Sequence, residues 1–110
     1  MNNKNYNLKK IKNLPSFKDD LKEKLKNPEF KEGFVLASKR LDLASEIMDA
    51  RKKAKLSQIE FAKKLRTSQS FVARVENGNQ NLTIDVLMRM ADVLSSEQKK
   101  IVKFQIIGSV

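Results

Sequence analysis

The chain has 110 residues, 40% of them hydrophobic and 33% charged, with 23 basic against 13 acidic side chains and a formal net charge of +10. That length suits one compact domain with an appendage. Cysteine and histidine are both absent, which excludes disulfides, thiolate metal sites and the usual general base at neutral pH, so no enzyme, cofactor or metal is expected.

No apolar run approaches the roughly 20 residues that span a bilayer, and the polar, basic residues 2–13 have no apolar stretch behind them as an export signal would. A cytoplasmic protein without membrane contact is expected. The charge excess is spread along the chain: residues 1–34 carry 9 basic against 5 acidic side chains, residues 35–94 carry 11 against 7, and residues 95–110 carry 3 against 1. A field distributed in this way attracts polyanions and speeds encounter with them, which makes nucleic acid the first candidate partner.

Residues 1–14 are polar and rich in Asn and Lys, with Tyr6, Leu8, Ile11 and Leu14 as isolated anchors; a frayed or conditionally ordered start is expected. Pro15 and Ser16 mark a helix start. Phe17, Leu21, Leu25 and Phe30 then form a thin apolar stripe, which Asn27-Pro28 is expected to interrupt and Gly33 to break again. This segment either covers a flank of the main domain or binds a partner.

From Phe34 a long helical pattern, extending to about Lys55, sets Val35, Leu36, Leu43, Ile47 and Met48 on an inward face, with Ala44 and Ala54 allowing close approach. Ser57 followed by Glu60 has the spacing of a capping box. It opens a helix whose apolar positions are Ile59, Phe61, Ala62 and Leu65. Thr67 and Ser68 both suit the cap of a next helix with Val72 and Val75 inward, and Asn77-Gly78 stops it, either residue being able to take a positive φ. Thr83 caps a last helix with Ile84, Leu87, Met88, Ala91 and Leu94 on or near its buried stripe. Residues 35–94 therefore read as four or five helices.

The helices around residues 57–65 and 69–76 are joined by only three or four residues and must cross steeply. The second has two inward apolar residues if Phe71 is set aside. Its other face carries Ser68, Gln69, Ser70, Ala73 and Arg74, with no acid before Glu76. Gln pairs bidentately with adenine, Arg with guanine O6 and N7, and small hydroxyls reach base edges or phosphates. Gln58, at the N-terminus of the preceding helix, stands where free amides would meet a phosphate. Lys63 and Lys64 add phosphate contacts or simply solvate the surface. Phe71 touches a thymine methyl or packs its helix.

Leu56-Ser57-Gln58, Phe61-Ala62, Gln69-Ser70, Val72, Arg74, Glu76-Asn77-Gly78 and the last helix stand in an order and spacing that resembles the helix-turn-helix domain of the lambda-repressor-like, or Xre, superfamily, over about residues 46–94. The resemblance implies a five-helix bundle that binds double-stranded operator DNA, usually as a dimer. By position it assigns base contacts to Gln69, Ser70 and Arg74 and backbone contacts to Gln58 and Asn79; Lys63, Lys64, Arg66 and Ser68 complete the expected backbone set. Arg66 stands where the family usually has glycine, at a cost of roughly 1 kcal/mol if the residue is left-handed, and Leu82 stands where proline is common.

The preamble LKNPEFKEGF, residues 25–34, ahead of a helix ending in EIMDARKKAKLSQ, residues 46–58, is similar to the HigA-type antitoxins of toxin-antitoxin pairs. That resemblance implies neutralisation of a small basic RelE/HigB-like mRNA endoribonuclease toxin and repression of the protein's own operon, as a homodimer or a toxin-antitoxin heterotetramer. Phe17, Leu21, Leu25 and Phe30 would then insert into the toxin. The other function weighed is a stand-alone Xre-family regulator without a toxin.

After Leu94 a polar turn leads to IVKFQII, residues 101–107, where Val102, Phe104 and Ile106 share one face of a short β-strand. A lone strand needs a partner edge, in a dimer or on another protein, unless it packs irregularly on its own domain. The expected architecture is thus mainly α, in three parts: an N-terminal helical extension at 1–34, the helix-turn-helix domain at 35–94, and a C-terminal turn and strand at 95–110.

Overall fold

The structure, a computed structural model, describes residues 15–106. These hold five helices: α1 (Pro15–Lys24), α2 (Pro28–Lys53), α3 (Gln58–Leu65), α4 (Gln69–Glu76) and α5 (Ile84–Gln98). The expected anchors Tyr6, Leu8, Ile11 and Leu14 lie outside the described residues. The chain divides into two compact units, Met1–Leu36 and Ala37–Val110.

In the first unit Phe17, Leu21 and Leu25 follow one another at a spacing of four and are half-buried, while Phe30 is exposed. Ion pairs Lys24–Asp20 and Lys26–Glu23, at 3.1 and 3.0 Å, are solvent-facing and add little to stability. The interruption expected at Asn27-Pro28 is present. The Asn27 Oδ1 accepts from the amides of Glu29 and Phe30 at 2.9 and 3.2 Å, and Pro28, with no amide to leave orphaned, suits the first helical position.

Gly33 does not break the helix, contrary to expectation: α2 runs through it. A mid-helix glycine costs only about 1 kcal/mol relative to alanine. Phe30 and Phe34, one turn apart on either side of Gly33, stack with ring centroids 6.3 Å apart and hold that turn together.

The core of the second unit is built from Ala44 and Ile47 of α2, Leu56 of the connection that follows it, Phe61, Ala62 and Leu65 of α3, Val72 and Val75 of α4, and Met90 and Leu94 of α5. Phe61, Ile47, Met90, Leu94 and Val72 are its largest fully enclosed side chains. Thr83 caps α5, its Oγ1 accepting from the Val86 amide at 3.1 Å.

The inward stripe of α5 differs from the expected one. Ile84 and Met88 are exposed, whereas Met90 is enclosed and Val86, Leu87 and Val93 are partly buried against the core. The stripe that faces the core is centred on Leu87, Met90 and Leu94, at spacings of three and four, which rotates Ile84 and Met88 outward. Ile59 is likewise exposed, on the opposite side of α3 from Phe61.

No strand forms among the described residues, which corrects the expected C-terminal β-strand. Over residues 101–106 Val102 and Phe104 do turn inward onto the core, but Ile106 points to solvent; Ile107 lies outside the described residues. The backbone bonds to side chains instead of to a second strand. The Val102 amide donates to Ser95 Oγ at 2.9 Å, and the Gln105 amide to the Glu46 carboxylate at 3.1 Å, so these donors are satisfied without a ladder.

Candidate nucleic-acid interface

Local chemistry places α3. Ser57, extended at φ −74° and ψ 167°, accepts the Glu60 amide on Oγ at 3.0 Å, while Glu60 Oε1 accepts the Ser57 amide at 2.8 Å. Both halves of the capping box are therefore formed. The Ser57 backbone bond, then its hydroxyl, then the nearby Lys64 and Lys63, hold the Glu60 carboxyl below its ordinary pKa.

The far end of α3 turns sharply. Arg66 is left-handed, at φ 59° and ψ 46°. Its amide donates to the Lys63 carbonyl at 3.1 Å and the Thr67 amide to the Ala62 carbonyl at 2.9 Å, the paired bonds of a Schellman closure. Ser68 then caps α4, accepting the Phe71 amide on Oγ at 3.1 Å. The connection is only three residues long. Arg89, on α5, donates to the Leu65 carbonyl and secures the end of α3.

Helix α4 rests on the core through Val72 and Val75, with Phe71 half-buried against the same cluster. Gly78 closes it. Its φ of +74° favours glycine, and a Cβ there would lie 3.0 Å from Leu41 Cδ2, so position 78 demands glycine on both counts. The same left-handed closure ends α2 at Lys55 and α5 at Lys99, with φ of 61° and 56°.

The expected base-reading residues Gln69, Ser70 and Arg74 are all exposed on α4, Ser70 and Arg74 one turn apart on one face. Each already has a polar neighbour. Gln69 Nε2 donates to Gln58 Oε1 at 2.9 Å, and Ser70 Oγ lies 3.1 Å from Ser68 Oγ. Arg74 Nε donates to Gln80 Oε1 at 2.9 Å, with the guanidinium 6.0 Å from the Phe71 ring centre.

Of the expected backbone-contacting set, Gln58 adjoins Gln69 at the start of α3, and Lys63, Arg66, Ser68 and Asn79 are exposed. Lys64 instead pairs with Glu97 of α5 at 3.3 Å. The four apolar residues assigned to a toxin, Phe17, Leu21, Leu25 and Phe30, belong to the first unit.

Beneath these side chains lies a buried ion pair that the sequence reading did not identify. Arg51 and Glu76 are 8% and 5% exposed. Arg51 Nε donates to Glu76 Oε2 at 2.6 Å, Nη2 to Oε1 at 3.0 Å, and Nη1 to the Leu56 carbonyl at 2.7 Å. Glu76 Oε1 also accepts from Gln58 Nε2 at 3.0 Å. An unbroken chain of hydrogen bonds thus runs from Arg51 through Glu76 and Gln58 to Gln69. The signal was present: Arg51 follows Ala44 and Ile47 at spacings of three and four, and Glu76 follows Val72 by four, so each charge sits on an apolar stripe and requires a buried partner.

Residues 47–97, just under half of the chain, match a family model described as Helix-turn-helix. No curated protein and no solved structure matches the chain. Within residues 47–97 the match supports a helix-turn-helix domain of the Xre/lambda-repressor-like kind, a type of domain that binds DNA. No helix among the described residues is long and apolar enough to cross a membrane.

Proposed function

We propose that the chain is a sequence-specific DNA-binding regulator that reads duplex DNA with Gln69, Ser70 and Arg74 and grips the backbone with Gln58, Lys63, Arg66, Ser68 and Asn79. The observation that carries this reading is the pairing of a three-residue α3–α4 connection with an α4 buried only at Val72, Val75 and Glu76. Amide, hydroxyl and guanidinium groups are thereby left facing outward, within a segment matched by a helix-turn-helix family. A net charge of +10 supports the attraction to a polyanion. Lys64, being paired to Glu97, contributes to a phosphate contact only by giving up that partner.

The finer proposal is that this regulator is the antitoxin of a toxin-antitoxin pair. In it, residues 35–94 bind the operator of its own genes as a cytoplasmic homodimer or toxin-antitoxin heterotetramer. Residues 1–34 engage a RelE/HigB-like endoribonuclease through Phe17, Leu21, Leu25 and Phe30, and residues 95–110 make a dimer or partner contact. Support comes from the resemblance of residues 25–34 and 46–58 to HigA-type proteins and from the separate compact unit that carries the four apolar residues.

Two measurements test these levels separately. Fluorescence anisotropy with the DNA upstream of the gene and a scrambled duplex, over a series of salt concentrations, should give a preference for the former and a steep salt slope; equal affinity for both duplexes rejects the regulator. Co-expression with the product of the adjacent open reading frame should yield a stable complex that deletion of residues 1–34 abolishes while DNA binding persists. Sequence-specific DNA binding with no such complex leaves a stand-alone regulator.

A further inference from the structure

We infer that the buried Arg51–Glu76 pair is a positioning device for base reading, fixing through Gln58 which way round the Gln69 amide is presented to DNA. The inference rests on the proposal that Gln69 reads a base. Arg51 and Glu76, being buried, touch no DNA themselves.

A glutamine side chain carries one acceptor oxygen and one NH₂ donor group and can be flipped end for end with little change in shape. An exposed glutamine therefore has no preferred polarity of its own. Gln58 is different because it meets Glu76, whose two oxygens both face donors of Arg51 at 2.6 and 3.0 Å. A carboxylate held in this way only accepts. Gln58 must turn its Nε2 toward Glu76, as it does at 3.0 Å, which points its Oε1 at α4.

That oxygen in turn orients Gln69. To satisfy it, Gln69 donates one Nε2 hydrogen at 2.9 Å, keeping its second Nε2 hydrogen and its Oε1 for DNA. One donor and one acceptor side by side match the N7 acceptor and N6 donor of adenine. The flipped amide would present its two hydrogens to DNA while its oxygen faced Gln58, a pattern suited to the O6 and N7 acceptors of guanine. Arg51 completes the device because its third donor is bonded to the Leu56 carbonyl at 2.7 Å, which anchors the guanidinium to the backbone between α2 and α3. The polarity of an exposed reading group is thus set by a charge pair buried behind it.

Glu76→Gln tests this directly, because the new amide cannot offer acceptors to both Arg51 and Gln58 through both of its atoms. The full chain is used to select binding sites from random-sequence duplex DNA, and the position read by Gln69 is found as the one whose preference disappears in Gln69→Ala. At that position the wild-type chain should favour adenine over guanine by about tenfold, the scale of one good bidentate contact. Glu76→Gln should bring the ratio close to one or reverse it. Ile47→Val, which loosens the core without touching the chain of bonds, should weaken all sites together and leave the ratio unchanged.

Should Glu76→Gln fail to fold, Gln58→Ala asks the same question from a half-exposed position and should also level the ratio. In the DNA-free protein, the side-chain amide resonances of Gln58 and Gln69 should show slowed hydrogen exchange that Glu76→Gln or Gln58→Ala removes. An adenine preference that survives in the folded variants, with unaltered amide resonances, overturns the inference while leaving DNA reading intact. A wild-type chain that enriches no sequence overturns the DNA reading and the inference with it.

Discussion

Arg51 and Glu76, 25 residues apart in the chain, meet through two parallel N–H···O bonds at 2.6 and 3.0 Å inside the helix-turn-helix domain. Removing one partner leaves the other charge buried and uncompensated, which costs about 3–5 kcal/mol in comparable sites. Arg51→Met or Glu76→Ala should therefore lower the urea midpoint sharply. Replacing both by apolar residues should recover much of the loss, because the desolvation of two charges is then avoided. Double-mutant-cycle denaturation measures the difference, and additive losses would show that the pair is not a coupled unit.

Arg66 supplies a second test, since its left-handed conformation strains a residue with a Cβ. Arg66→Gly should stabilise the domain by roughly 0.5–1 kcal/mol, the strain relieved being partly offset by the greater freedom of glycine in the unfolded chain. If Arg66 also contacts a phosphate, the same variant should lower the slope of log K against log salt by about one counterion. Gly78→Ala should go the other way, because it combines a positive φ with a 3.0 Å approach to Leu41 Cδ2. Thermal denaturation of the two variants side by side decides the matter.

Much of this architecture was legible because it is local. Ser57, Ser68 and Thr83 each cap a helix with their own hydroxyl, and the reciprocal Ser57–Glu60 bonds span only three residues. Val72 and Val75 follow from spacing alone. What failed to show depends on the tertiary surroundings. The buried pair joins α2 to α4, and the rotation of α5 that exposes Ile84 and Met88 is decided by the core it meets. Residues 101–106 alternate as a strand would, yet they found Ser95 and Glu46 as hydrogen-bond partners in place of a neighbouring strand. The outward placement of Gln69 was readable, but its bond to Gln58 and the charge pair behind it were not.

Glu60 should make the domain sensitive to acid. Its carboxyl is held below its ordinary value, chiefly by the Ser57 amide. A depressed folded-state value means that the unfolded chain takes up the proton first as pH falls. The contribution is complete above the ordinary value and is lost as pH falls through the depressed one. Stability measured from pH 7 down to 3 should show a shallower decline in Glu60→Gln than in the wild type, with the two curves converging at the acid end.

Gly33 is a free position within α2. A Cβ there would meet nothing within 4 Å, and no positive φ is required of it. Gly33→Ala should therefore stabilise helix α2 by about 0.5–1 kcal/mol, measured by helical ellipticity during thermal unfolding. No change in ellipticity or midpoint would mean that the turn between Phe30 and Phe34 is open in solution.

Arg74 provides the last test, because its guanidinium is already tied to Gln80 at 2.9 Å and lies beside the Phe71 ring. A side chain held at one end has less rotamer entropy to lose on binding, so pre-orientation by Gln80 should favour the complex. Arg74→Ala should reduce specific affinity by about 1–3 kcal/mol if a base contact is lost, with little change for scrambled DNA. Gln80→Ala should produce a smaller loss in the same direction and none once Arg74 is already absent, since Gln80 acts through the arginine. Equal losses on specific and scrambled duplexes would instead identify Arg74 as a phosphate contact. An undiminished effect of Gln80→Ala in the Arg74→Ala background would make Gln80 a DNA contact in its own right.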